Sequence, residues 1–149
     1  MKQYIDTLEQ TPRLVRELVA AAADVDRKHG DFFSIRENVA HLRDVDTLGF
    51  EQRVRRIVSE DHPTLPDVNG AQIAIDRRYA TLPIEPELAE LERSRAASIA
   101  LLRTLDESQL ERTAELETVG RITLRELLER WITHDTEHLA DMRSLAAGE

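Results

Sequence analysis

Hydrophobic residues recur every three or four positions along most of the chain, which is the spacing of one face of an α-helix. Four long segments carry this pattern. No segment of comparable length alternates between polar and apolar residues as a half-buried strand does. The pattern predicts long helices over residues 2–27, residues 34–59, a segment that begins near Pro86, and residues 123–146.

Residues typical of helix ends support these boundaries. Ser34 begins the sequence Ser-Ile-Arg-Glu and Thr123 begins Thr-Leu-Arg-Glu, and both have the form of a capping box at a helix N-terminus. Thr11 and Pro12 interrupt the first segment, because proline behind a threonine is a helix start signal. We therefore predict a short lead-in and then a main helix that closes at Gly30.

The connections between the helices differ in length. Residues 60–70 contain two prolines and a glycine and are predicted to form a loop, followed by a short helix over residues 71–80. Asp106 is predicted to cap a brief turn, and residues 112–122 to be irregular or briefly extended. Four helices with two longer crossovers predict an all-α fold, a four-helix bundle, and we expect residues 1–149 to form one domain.

Composition narrows the classes of partner. The formal net charge of −9 disfavours nucleic acids and anionic membranes, because both are negatively charged. The chain contains no cysteine, so disulfides and thiolate metal ligands are excluded. No apolar run approaches the length of roughly 20 residues that spans a bilayer, and the first ten residues lack the apolar segment of a signal peptide. We expect a cytoplasmic protein whose partner is a small-molecule substrate.

Two histidines near the C-terminal end provide the first candidate chemistry. His134 and His138 are four residues apart, so in a helix they lie on one face. With Glu137 between them they match the H-x-x-E-H pattern of inverted zinc peptidases. Two imidazoles alone do not make a stable metal site, since catalytic zinc commonly has three protein ligands and a water.

The helical wheel argues against the peptidase interpretation. Asp135 falls near the centre of the apolar arc of the last helix, whereas Glu137 falls far outside it. The arc is formed by Leu127, Leu128, Trp131, Leu139 and Met142. The glutamate that would serve as general base in a peptidase is therefore predicted to face away from the core.

His41 is the candidate third ligand. It lies inside the second helix on a stripe with Val45 and Leu48, and bundles build metal sites from side chains on facing helices. One alternative is that His41 is a hydrogen-bonded core residue. Another is that His134 and His138 are surface residues. His29 and His62 lie in predicted loops and are interpreted as solvated residues without a ligand role.

Several motifs together resemble the DinB/YfiT-like superfamily of metal-binding four-helix bundles. They are "FSIRENVAHLRDVD" at 33–46, "EDHPTLPD" at 60–67, "VGRITLRELL" at 119–128 and "THDTEHLADM" at 133–142. The resemblance implies that His41, His134 and His138 hold one divalent metal ion, nickel or zinc. Many members carry tryptophan before the capping serine, where this chain has Phe33; the difference affects the rim of the site and leaves the ligands unchanged.

The resemblance implies two kinds of activity. Some members look like metal-dependent hydrolases, and others transfer a low-molecular-weight thiol, such as bacillithiol or mycothiol, to an electrophile. A metal ion with three neutral imidazoles and an open position can activate either water or a thiol. A metal-stabilised binding or stress-response protein without turnover is the alternative from a different class.

Charged residues on inward faces are the candidates for a supporting role. Asp135, Asp46, Arg53 and Arg95 all fall within apolar arcs, where unpaired charges are costly, so we predict an internal Asp/Arg network near the metal. The alternative is that the two arginines extend to the bundle ends. Asp135, Glu37 and Arg95 are the predicted catalytic residues, although for Glu37 helix capping alone is the favoured alternative.

The assembly state is predicted from the resemblance and from the apolar stripes, which leave surface to bury. We expect a homodimer, because members of the superfamily are often dimers. Light scattering at micromolar concentration is expected to give about twice the chain mass of 17.0 kDa, and a mass near that of one chain would contradict the prediction.

Overall fold

A computed structural model describes all residues, 1–149, and shows the predicted four-helix bundle. The long helices are α1, α2 with its continuation α3, α5 and α6, and a short helix α4 lies in the first crossover. Their bounds are α1 Lys2–Ala21, α2 Ile35–Asp44, α3 Glu51–Ser59, α4 Gly70–Arg77, α5 Ile84–Arg103 and α6 Leu124–Ala146. Short 3₁₀ turns follow at Tyr79–Thr81 and Glu107–Glu111, the second capped by Asp106 as predicted.

The helix predicted over residues 34–59 is continuous but not regular. Ser34 and Glu37 form the predicted capping box, with the Ser34 hydroxyl accepting from the Glu37 amide and the Glu37 carboxylate accepting from the Ser34 amide. Between α2 and α3 the chain makes a π-helical turn, Val45–Phe50. A π turn adds a residue to the helix, so the faces beyond it rotate. Leu48, predicted on the stripe of His41, lies inside this turn and is 44% exposed.

The first helix differs from the prediction at Pro12 and at its C-terminal end. α1 runs through Pro12 without interruption and ends at Ala21, six residues before the predicted end. Gly30 does adopt a left-handed conformation, φ +55°, but in the turn before α2. Proline has no N–H to donate to the carbonyl four residues earlier, so Pro12 frees the Leu8 carbonyl within the helix. The Arg95 side chain donates to that carbonyl at 2.6 Å.

A small sheet covers one end of the bundle. Strand β1, Thr64–Leu65, runs parallel to β2, Thr113–Leu116, which pairs antiparallel with β3, Gly120–Thr123. The segment predicted as briefly extended is therefore a hairpin, and the predicted loop supplies the third strand. Gly120 makes the hairpin turn possible with φ +98°, a conformation that other residues rarely adopt.

A polar layer divides the bundle core into two apolar clusters. α1 packs on α5 and α6, and α2 packs mainly on α5. One cluster lies near the sheet and includes Trp131; the other includes Met142. The layer between them consists of Thr11, Asp46, Arg95 and Asp135, all buried. Asp46, Arg95 and Asp135 each lie four residues from a member of each cluster, for example Asp135 between Trp131 and Leu139. No helix has the length and apolarity that crossing a bilayer requires.

Candidate metal centre

The three predicted ligands lie together at one side of the bundle. His41 projects from α2, and His134 and His138 project from successive turns of α6. Their ring centroids are 4.4 Å, 4.5 Å and 5.2 Å apart, and one nitrogen from each ring lies within 4.8 Å of the others. The Nε2 atoms of His41 and His134 are 3.1 Å apart. The structure thus brings together three residues separated by up to 97 positions in the sequence, and no other group of histidines and carboxylates forms such a cluster.

The donor set fits a divalent ion. Two nitrogens bound to one tetrahedral zinc are about 3.3 Å apart, close to the observed Nε2–Nε2 separation. Burial, followed by the neighbouring His138 and His134, lowers the pKa of His41 to about 3. Burial and the adjacent His134 lower the pKa of His138 to about 4. Both rings are therefore neutral near pH 7, which is the form that binds a metal.

Neighbouring residues surround the His41 ring on two sides. The Phe33 ring lies 5.2 Å from it, centroid to centroid. Gly70, the first residue of α4, packs against its edge, since a Cβ at this position would lie 3.4 Å from Cε1. The Nδ1 atom of His41 is buried and has no hydrogen-bond partner. Nε2, 3.1 Å from His134 Nε2, is therefore the nitrogen of His41 that faces the other two rings.

Arg95 is the centre of the predicted Asp/Arg network. Its five N–H groups are all used: two donate to Asp46, two to Asp135 and one to the Leu8 carbonyl, at 2.6–3.1 Å. Trp131 donates to Asp46, and Thr11 donates to Asp135. The polar layer is therefore fully hydrogen-bonded around the guanidinium.

The pKa values of the charged groups in this layer depend on one another. Burial alone would lower the pKa of the Arg95 guanidinium, but the charges of Asp46 and Asp135 raise it. Burial would raise the pKa of Asp135, and the charge of Arg95 outweighs this and lowers it. For Asp46 burial dominates and raises the pKa, although Arg95 opposes it. One guanidinium thus supports two buried carboxylates.

The network stands directly behind His134. The Asp135 carboxylate lies 4.0 Å from His134 Nδ1, too far for a direct hydrogen bond. Phe50 stacks on Trp131, with centroids 4.8 Å apart, and its ring lies 6.0 Å from that of His134. The network therefore fixes the turn of α6 that carries His134. Phe50, stacked on Trp131, lies beside the His134 ring.

The predicted catalytic residues take supporting positions. Arg95 is 1% exposed with every donor engaged, and Asp135 is 4% exposed, so neither side chain is open to a substrate. Glu37 accepts from the Ser34 amide at 3.0 Å and lies 3.3 Å from the Lys28 ammonium, which supports the capping interpretation. Arg53 does not join the network as predicted, because its guanidinium donates instead to the Pro66 carbonyl.

Two features near the site were not identified from the sequence. Asn38 is buried and its side-chain oxygen lies 2.8 Å from His138 Nδ1. Its position three residues before His41, in the apolar arc of α2, was the available signal. The second is the buried Asp44, which accepts from Tyr79 and from Arg77, both at 2.7 Å, and so ties the first crossover to α2. These two partners of Asp44 are more than thirty residues away in the sequence, and no local pattern marks them; the neighbouring Arg43 also pairs with Asp44.

Comparison with known proteins identifies the family. The sequence model of the DinB superfamily matches residues 4–142. The chain belongs to the DinB superfamily. A solved structure, YfiT from Bacillus subtilis, has the same fold with a TM-score of 0.89 at 24% identity, covering 98% of this chain and 85% of that one. YfiT is described as a probable metal-dependent hydrolase with an unusual four-helix bundle topology.

Sequence relatives of this DinB-superfamily protein carry provisional names as metal-dependent hydrolases. One from Oceanobacillus iheyensis is 26% identical, over 97% of this chain and 85% of the relative. One from Geobacillus kaustophilus is 31% identical, over 76% of this chain and 64% of the relative. The names of these relatives and the three converging imidazoles both point to a divalent metal ion.

Proposed function

We propose that the protein is a metal-dependent hydrolase of a small molecule, with His41, His134 and His138 as the ligands of one nickel or zinc ion. The observation that carries the proposal is the convergence of three imidazoles, two of them held neutral by burial and the third, His134, with a partly exposed side chain. His134 lines an open depression on the surface of α6 together with Thr133 and Glu137. Three protein ligands with an accessible further position are typical of catalytic zinc, and imidazole suits both metals.

The chemistry follows from this donor set. A divalent ion bound by three neutral ligands keeps its full charge and acts as a Lewis acid that activates water or polarises a carbonyl. The protein contributes the neutral rings of His41 and His138 and a rigid support behind His134. The provisional names of the relatives agree with hydrolysis.

We place the apolar part of the substrate in a pocket next to the histidines. The pocket has a volume of about 190 Å³ and is lined by His29, Phe32, Phe33, Asp141, Ser144 and Leu145. Phe33 joins it to the metal centre, since its ring also packs on His41. Phe32 is 73% exposed, so its ring is accessible to a ligand in this pocket. The volume is below the roughly 300 Å³ typical of whole-ligand pockets, so it suits a small substrate or one arm of a larger one.

Thiol transfer is the second candidate function. The chain has no cysteine, so a sulfur nucleophile at this site would have to come from a cofactor such as bacillithiol or mycothiol. A metal ion lowers the pKa of a coordinated thiol and makes it the reactive thiolate. The same histidines would serve both reactions, with the thiol in place of water.

The proposal predicts metal-dependent turnover that is sensitive to the pocket. Purified protein is loaded with zinc or nickel and assayed with small aryl esters and amides, and separately with bacillithiol, mycothiol or glutathione and a chlorobimane. We expect activity in one of the two assays, lost with a chelator and restored by metal. Phe32→Ala is expected to raise KM several-fold with little change in kcat, because it removes binding surface away from the reacting bond.

Ile75→Ala is the matched control for the pocket variant. Ile75 is 69% exposed, similar to Phe32, and lies on α4, outside the pocket. It should leave KM unchanged. Turnover that persists in chelated protein would contradict a metal-dependent reaction. Stoichiometric metal without turnover in either assay would favour the non-catalytic alternative, a metal-stabilised binding or stress-response protein.

A further inference from the structure

Asn38 links the start of α2 to a predicted metal ligand on α6. Its side chain is 1% exposed, and its Oδ1 atom lies 2.8 Å from His138 Nδ1. Asn38 and His41 are three residues apart and therefore share one face of α2. The residue is thus buried beside the histidine cluster, facing the back of the His138 ring.

The orientation of the Asn38 amide is determined by its other contacts. Its NH₂ group donates to the Ser34 carbonyl at 3.0 Å and to the Phe33 carbonyl at 3.3 Å. Carbonyl oxygens only accept, so the nitrogen must face them. A flipped amide would place its oxygen against both carbonyls and lose both hydrogen bonds. The atom that faces His138 is therefore the amide oxygen, which can only accept.

An acceptor at this position determines which nitrogen of His138 carries the proton. Nδ1 must donate to the Asn38 oxygen, so Nε2 is left with its lone pair free. Neither of the other two rings has an equivalent partner: His41 Nδ1 has none, and His134 Nδ1 is 4.0 Å from the Asp135 carboxylate. His138 is thus the ring whose tautomer a neighbouring side chain fixes directly.

We propose that Asn38 is the positioning residue of the metal centre, which holds His138 as the Nδ1–H tautomer and so assigns Nε2 as its ligand atom. The role in metal binding rests on the proposed function, but the tautomer is a property of the metal-free chain. Histidine ligands commonly donate to a carboxylate or a backbone carbonyl. A neutral amide orients the ring without adding negative charge, so a bound ion keeps more of its electrophilic character.

The test is the tautomer of His138 in metal-free protein, read from histidine ¹⁵N chemical shifts near pH 8. We expect Nδ1–H in the natural chain. Asn38→Leu, of similar size but without an acceptor, should lose it. Asn38→Asp keeps an acceptor while removing the donors to Ser34 and Phe33, so it should retain Nδ1–H. A purely structural role predicts that both variants behave alike.

Metal affinity supplies the second measurement. Asn38→Leu is expected to weaken zinc binding about 10–100-fold, the usual cost of losing such a partner, and Asn38→Asp to weaken it far less. The ¹⁵N signals of His29 and His62 serve as internal controls and should not change in either variant. Nε2–H at His138 in the natural chain would overturn the proposal, and this result does not depend on how well the leucine variant folds. Nδ1–H retained in Asn38→Leu would overturn it as well.

The two proposals fail in different ways. If the tautomer responds as expected but the natural chain binds no metal, Asn38 still positions His138 and the proposed hydrolase is wrong. If the chain binds metal and turns over substrate, but the His138 tautomer does not change when Asn38 is replaced, the proposed hydrolase is supported and the positioning role is wrong.

Discussion

Arg95→Met is expected to destabilise the protein by about 3–5 kcal/mol, the usual cost of removing one partner from a buried ion pair. The guanidinium supplies all five of its N–H groups to Asp46, Asp135 and the Leu8 carbonyl. Its removal leaves two carboxylates buried near each other without a cation, and leaves the carbonyl freed by Pro12 without its donor. For a chain of this length the melting temperature should fall on the order of 10 °C.

Arg93→Met is the matched control. Arg93 lies on the same helix two residues away, with a side chain that is 52% exposed and paired with Glu90. It also lies 3.4 Å from the buried Glu51, whose nearer partners Arg55 and Ser94 remain when Arg93 is replaced. Exposed ion pairs contribute little, so the melting temperature should change by a few degrees at most. Thermal melts of the two variants test whether the buried network of Arg95 stabilises the bundle. If both variants melt close to the natural chain, the polar layer does not hold the bundle together.

His41→Ala is expected to abolish stoichiometric metal binding. It removes the only ligand that α2 contributes and leaves the i, i+4 pair on α6, and two imidazoles make a weak site. Metal content after dialysis, measured by elemental analysis, should fall from about one ion per chain to near zero. Chelation should lower the melting temperature of the natural chain and have no effect on the variant, because only a ligand that binds the folded state stabilises it.

The remaining histidines provide the controls for this variant. His62 is exposed and contacts Thr113 and Glu115 at the sheet, and His29 lies in the turn before α2. Neither belongs to the histidine cluster, so His29→Ala and His62→Ala should keep full metal content. A His41→Ala variant that still carries one ion per chain would show that the three-histidine site is wrong.

Much of the site was predictable because its signals are local. Helix periodicity placed His134 and His138 on one face, and put Asp135 inside and Glu137 outside; the structure confirms that Asp135 is buried and Glu137 exposed. The inward position of Arg95 predicted its pairing with acidic residues, which the structure also confirms. Arg53 shows the limit of this reasoning, since the same wheel placed it in the network and its actual partner is a loop carbonyl.

Local sequence is enough to specify the four helices, the capping of α2 at Ser34 and the spacing of the histidine pair, because these depend on interactions within a few residues. The other features depend on contacts between distant parts of the chain. Three features involve a partner on another helix. Asp46 in the π turn at Val45–Phe50 pairs with Arg95, Arg95 also uses the carbonyl that Pro12 frees in α1, and Asn38 contacts His138. A helix tolerates the loss of a backbone hydrogen bond at Pro12 because Arg95, 83 residues away, uses the freed carbonyl. Such pairings depend on which helices meet and in what register, and no local pattern specifies either.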